Sequence, residues 1–139
     1  MFKNGAYHSS TLLHFPDKQM NIRFSKMCLA LIDQLNSIQP DVIYMEEAAV
    51  VRNAQTQRFL VRLQGVVYGW AVEHSADCEF IRPGEWRALS GMQTGKMKRS
   101  DLKNEAIRIV KEKLNIDVND DVAESILIGI AAINKFNKE

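Results

Sequence analysis

The segment PDVIYMEEAAVVRNAQTQRFLVRLQGVVYGWAVEH, residues 40–74, joins a strand pattern to a helix pattern. Its first part, DVIYMEE (residues 41–47), is a nearly continuous apolar run. The length of this run and its Ile, Val and Tyr content predict a buried strand, parallel to others in its sheet. From Asn53 to Ser75 a longer apolar-rich stretch predicts a helix, with Asn53 as the N-cap. A buried strand that leads into a long helix is typical of α/β domains.

The rest of the chain continues this alternation. Helical apolar periodicity recurs in three stretches, and the last is apolar nearly all round, which predicts that it is buried. These helices span residues 20–38, residues 100–114 with Ser100 as N-cap, and residues 119–136. Strand patterns span residues 7–15 and 78–83, and residues 84–98 predict a loop. The order predicts a single α/β domain over residues 1–139 with a partly parallel sheet.

The first residues predict a hairpin whose first arm is short. Asn4-Gly5 is the dipeptide that best tolerates the two positive φ angles of a type I′ turn. Residues 7–15 can form the second arm, but only Met1, Phe2 and Lys3 precede the turn. We therefore expect that one more antiparallel strand belongs upstream of this sequence.

Composition limits the possible partners and compartments. The 139 residues suffice for one domain with a core, and a net charge of +1 means that any nucleic-acid surface must be a local patch. Cys28 and Cys78 match no metal-ligand spacing, which favours free thiols in a reducing compartment. The sequence has no signal-peptide layout and no apolar run of bilayer length. A soluble cytoplasmic protein is therefore expected.

Three carboxylates are candidates for chemistry, each with a structural alternative. Glu46 lies where the buried strand ends, which is the edge where α/β sheets collect ligands, although it could simply mark the strand leaving the core. Asp121 and Glu124 are three residues apart at a helix start, on one face. The same spacing fits a capping box with Asp121 as N-cap and Glu124 at N3. Carboxylates from both places would suit Mg²⁺, which prefers oxygen ligands.

Two segments resemble the RuvC-type Holliday junction resolvases. Residues 40–74 are similar to the middle of that family, in which a buried strand ends in a catalytic Glu and a long helix follows. DDVAESILIGIAAI, residues 120–133, resembles the closing motif, in which two acids three apart open an apolar helix. The resemblance follows the element order from about Phe2 to Phe136. It implies an RNase H-like fold with a mixed sheet flanked by helices, and a sequence of phage or prophage type.

The resemblance also implies a function and its residues. The family consists of Mg²⁺- or Mn²⁺-dependent endonucleases that act as homodimers on four-way DNA junctions. Glu46, Asp121 and Glu124 take the places of the catalytic metal ligands, and Glu124 departs from the usual Asp. Arg87, Lys98 and Arg99 lie where the family contacts DNA, and the helix after Glu46 lies where it forms the dimer. The alternative for the basic residues is an ordinary solvated surface.

The resemblance further implies that the sequence is N-terminally truncated. Family members begin with a strand that carries a first catalytic Asp, and Met1-Phe2-Lys3-Asn4-Gly5 is similar to the end of their second strand. Loss of that Asp predicts little or no cleavage activity. Two alternatives stay open: an inactive DNA-binding or dimerisation module on the same fold, and an unrelated α/β protein in which the three acids are only strand-end and cap residues.

Overall fold

The computed structural model of the chain describes residues 1–47 and 53–138. Its elements are β1 (Phe2–Lys3), β2 (Ala6–Tyr7), α1 (Met20–Ile38), β3 (Val42–Glu46), α2 (Ala54–Glu73), β4 (Asp77–Ile81), α3 (Pro83–Leu89), α4 (Arg99–Leu114) and α5 (Asp120–Lys138). These elements form two compact units. The central unit is Leu13–Phe80, and the terminal unit combines Met1–Leu12 with Ile81–Glu139.

The central unit is built from α1, β3, α2 and most of β4. The two strands form a two-stranded sheet, and the Asp77 amide donates to the Asp41 carbonyl at 2.9 Å. Because this bond joins the starts of the two strands, they run in the same direction, as the strand–helix–strand order requires. The predicted bounds of α1 are confirmed. So is the Asn53 cap of α2, whose side chain accepts from the amides of Gln55 and Thr56 at 3.0 and 3.3 Å.

Helices α1 and α2 pack against each other through a few specific contacts. The indole Nε1 of Trp70 donates to Oδ1 of Asn36 at 2.9 Å, and Phe24 meets Phe59 edge to face at 5.6 Å. Near the middle of α2, a Cβ added at Gly65 or at Gly69 would meet no atom within 4 Å. Close packing among residues 1–47 and 53–138 therefore does not require these two glycines.

The terminal unit begins with the predicted hairpin. Asn4 has φ 51° and Gly5 has φ 78°, the two positive angles of a type I′ turn, so the turn is confirmed. Phe2 pairs with Tyr7, and Lys3 pairs with Ala6. The strand predicted over residues 7–15 is wrong, because β2 ends at Tyr7 and no described strand follows before α1. Past Tyr7 the pairing continues only through Met1, whose carbonyl accepts from the amides of His8 and Ser9 at 2.9 and 3.4 Å.

Helix α3 occupies part of the stretch that the sequence predicted to be a loop. Pro83 stands at its first turn, where its fixed φ suits a helix and its missing N–H is not needed. Trp86 is only 1% exposed and is therefore part of the core. The next helix, α4, starts at Arg99, so the predicted Ser100 cap is wrong; instead the Asp101 carboxylate accepts from the Lys98 amide at 3.3 Å.

Helix α5 packs against both α3 and α4 and carries much of the core, as its all-round apolar sequence predicted. Its buried residues are Ala123, Ile126, Leu127, Ala131 and Ala132. The cap predicted at Asp121 is wrong: Oδ1 of Asn119 accepts from the Val122 amide at 2.9 Å, so the helix starts two residues earlier. Further along, the Phe2 ring lies against Gly129, where a Cβ would overlap it. None of the described helices is long and apolar enough to cross a membrane.

Candidate functional site

Asp120, Asp121 and Glu124 lie in the first turns of α5, and Asp120 forms an ion pair. Oδ2 of Asp120 lies 2.7 Å from Nζ of Lys103 in α4. This hydrogen bond and the charge of the ammonium lower the pKa of Asp120, and the same interaction raises the pKa of Lys103. The charge of Asp121 also raises the pKa of Lys103. The sequence gives no signal of this pairing, which depends on how α4 and α5 pack.

The structure places Asp121 and Glu124 three residues apart in the first turns of α5. Asp121 is exposed, and Glu124 is half-buried. Residues at this spacing are neighbours on a helix surface, so the prediction that they share a face is confirmed. Because Asn119 caps the helix, neither acid is needed for the capping box that was their structural alternative.

Glu46 is the last residue of β3, in the central unit. Its side chain is half-buried, and its backbone carbonyl accepts from Nε2 of Gln64 at 2.7 Å. This bond fixes the end of the strand to the middle of α2. Glu46 and the two acids of α5 belong to different units, and their convergence on one point stays a prediction.

The residues present do not by themselves form a metal centre. Within the described ranges there is no group of three or more His, Cys, Asp or Glu residues that could hold a metal ion. A stable Mg²⁺ site usually combines one or two carboxylates with waters and substrate phosphates, so two acids on α5 alone are an incomplete set.

The basic candidates lie on α3 and around the start of α4. The guanidinium of Arg87 stands 5.2 Å from the centre of the Trp86 ring, and its Nε is buried without a hydrogen-bond partner among the described residues. Arg87 lines a cleft of about 330 Å³, together with Gly84, Ala88, Met92, Thr94, Gly95, Met97 and Leu102. Lys98 and Arg99 are exposed. A buried guanidinium N–H without an acceptor is costly, whereas the other guanidinium N–H groups of an Arg beside a cleft can donate to an anionic oxygen.

Comparisons with known proteins identify the fold. No family model matches the chain, and no curated protein matches it. Its structure is similar to that of Thermus thermophilus RuvC in complex with a Holliday junction substrate, with a TM-score of 0.71 and 13% identity over 94% of this chain and 78% of that one. A second structure of Thermus thermophilus RuvC gives a TM-score of 0.68 and 16% identity over 95% and 78% of the two chains. The chain therefore has the RuvC-type, RNase H-like fold that the resemblance predicted.

Proposed function

We propose that this protein binds branched DNA, and four-way junctions in particular, as a RuvC-type domain. The observation that carries the proposal is the similarity of fold to a RuvC structure in complex with a Holliday junction substrate, which extends over 94% of the chain. Fold alone does not establish function, so the proposal also depends on a surface able to hold DNA.

That surface is the basic region formed by Arg87, Lys98 and Arg99. Phosphate contacts from such residues give sequence-independent affinity that falls with salt. The half-buried Arg87, which lines the cleft of about 330 Å³, supports the proposal, because a guanidinium forms strong charge-assisted hydrogen bonds to phosphate. With a net charge of only +1, the chain depends on this local patch to attract DNA.

Binding of a fluorescent four-way junction and of a linear duplex with the same arms, each at several salt concentrations, tests this function. We expect tighter binding to the junction. The variant Arg87→Ala/Lys98→Ala/Arg99→Ala should weaken binding and reduce the salt slope by roughly one for each phosphate that the variant no longer binds. The control Lys18→Ala/Lys113→Ala/Lys138→Ala makes the same charge change elsewhere and should have a much smaller effect. Equal affinity for junction and duplex would contradict the proposal.

For catalysis, we propose Mg²⁺- or Mn²⁺-dependent phosphodiester hydrolysis at Glu46, Asp121 and Glu124, with low activity in this chain. Bound ions would supply an activated water and stabilise the leaving oxygen. The two acids that share a face of α5 support the assignment. The lack of a three-ligand group in the described residues supports low activity. Binding without cleavage, the alternative of an inactive module, is favoured by the same observation.

Incubation of the four-way junction with Mg²⁺ or Mn²⁺ distinguishes these two possibilities. We expect little or no resolved product from the wild-type chain. Any cleavage that does occur should disappear in Glu46→Gln, Asp121→Asn and Glu124→Gln, each of which keeps the side-chain size. Rapid cleavage that survives these substitutions would show that the assigned acids are wrong.

We also propose that two copies associate through α2, in the central unit. Val61, Tyr68 and Val72 are exposed on this helix, and Tyr68 stacks on Phe80 with ring centroids 6.2 Å apart. Exposed apolar groups of this kind mark protein interfaces. Analytical ultracentrifugation should show a dimer that Val72→Asp weakens. Phe136→Asp, at an equally exposed residue of the terminal unit, is the control and should leave the mass unchanged.

A further inference from the structure

Lys103 brings a positive charge to the acidic start of α5. Its Nζ lies 2.7 Å from Asp120, and the two side chains are 40% and 30% exposed, so the pair is partly shielded from water. Asp121 acts on the same ammonium through its charge. Lys103 is therefore fixed by its ion pair with Asp120, the residue next to Asp121, where the proposed catalysis requires a divalent ion.

We propose that Lys103 is a built-in counter-cation that lowers the affinity of Asp121 and Glu124 for a divalent ion. The ammonium neutralises part of the negative charge that would attract the ion, and it repels an ion bound beside it. This inference rests on the proposed function, because it concerns the acids assigned there to Mg²⁺.

The charged neighbours of Lys103 set the size of the effect. Asp120 contacts it from α5, the charge of Asp121 raises its pKa, and Arg99, one turn earlier on α4, adds a second positive charge that lowers the pKa of Lys103. A unit charge and a divalent ion roughly 6 Å apart in a water-like medium repel enough to change affinity about tenfold. Removing the ammonium should therefore strengthen Mn²⁺ binding at α5 by about this factor.

The experiment is a Mn²⁺ titration of the full chain, followed by paramagnetic broadening of backbone amides in ¹H–¹⁵N NMR spectra. Lys103→Gln keeps a hydrogen-bond donor for Asp120 but removes the charge. We expect residues 120–124 to broaden at about tenfold lower Mn²⁺ than in the wild type. Lys103→Arg keeps the charge and should behave as the wild type. Lys111→Gln, which removes the other ion pair between α4 and the loop before α5 (3.1 Å to Asp117), is the matched control and should also leave binding unchanged.

Each outcome decides the question. Unchanged broadening in Lys103→Gln, whether strong or absent in the wild type, overturns the inference, and so does an equal gain in Lys111→Gln. The spectra themselves report folding, and Lys103→Met is the second neutral variant if Lys103→Gln does not fold. Junction binding by the wild type without metal tests the proposed function separately. Failure there leaves the Mn²⁺ result interpretable on its own.

Discussion

The terminal and central units use their apolar residues in opposite ways. Among the described residues, eleven of the fourteen buried apolar side chains belong to the terminal unit, whereas nine of the twelve large apolar side chains that stay exposed belong to the central unit. Three helices packed on one another enclose a core in the first case. In the second, a two-stranded sheet offers too little surface to cover two long helices. The apolar face of a helix is therefore buried only where the neighbouring elements are large enough to cover it.

The largest expected difference comes from one substitution made in both units. Leu127 is fully buried in α5, and Leu29 is 64% exposed in α1. Leu127→Ala should lower the free energy of unfolding by about 2–5 kcal/mol, because it leaves a cavity, whereas Leu29→Ala should change it by less than about 0.5 kcal/mol. Urea unfolding measures both. A large loss from Leu29→Ala that grows with protein concentration would mean that another copy covers α1.

The two Asn caps give a second matched pair. Asn53 accepts two amides at the start of α2, and Asn119 accepts one at the start of α5. Each Asn→Ala change should destabilise by about 1 kcal/mol, and each Asn→Gly change by only a few tenths. Thermal unfolding is the measurement. If Asn119→Ala has no effect, the start of α5 is held instead by the Lys103–Asp120 pair.

Substitutions at the contact between Phe2 and Gly129 measure how strongly the hairpin is held against α5. Alanine in a helix interior is more favourable than glycine by about 1 kcal/mol. In Gly129→Ala the new methyl overlaps the Phe2 ring, so we expect this gain to be cancelled. In the Phe2→Ala background the gain should appear in full. Chemical denaturation of the four proteins measures the coupling, and equal effects in both backgrounds would show that the hairpin moves away freely.

The smallest effects are those of two partly exposed ion pairs on the pH dependence of stability. Lys103 lowers the pKa of Asp120 in the terminal unit, and Lys26 lowers the pKa of Asp17 in the central unit. An acid with a lower pKa in the folded state stabilises the fold above its unfolded pKa, and this contribution is lost as pH falls through the folded value. NMR titration of the carboxylates should show that Lys103→Met raises the pKa of Asp120 alone. Lys26→Met should raise that of Asp17 alone.

Local signals made α1, Asn53 and the Asn4-Gly5 turn predictable. A continuous periodic run ended by Gln39-Pro40 fixed the helix bounds, and the cap and turn depend on the residues themselves. The fold class followed from the order of the elements and from the two segments that resemble RuvC. The overlong strand at residues 7–15 failed because strand length depends on a partner, which a local pattern does not reveal.

The other features could not be predicted because one helix is too short for a periodic pattern and the rest depend on tertiary packing. Helix α3 has only seven residues, too few for periodicity to outweigh the glycines and lysines that follow it. Asp121 and Asn119 are both good caps, and which one is used depends on where α5 meets its neighbours. The Lys103–Asp120 pair and the orphaned Nε of Arg87 are tertiary features. The candidate acids could be named from the sequence, but their electrostatic surroundings could not.

Gly65 and Gly69 lower the local stability of α2. Each weakens the helix by about 1 kcal/mol relative to alanine, and no contact among the described residues requires either of them. The second half of α2 should therefore open locally far more often than α5. Backbone amides around these glycines should exchange with deuterated water well before those of the terminal core. A helix that opens locally in this way can adjust its shape to a surface that packs against it.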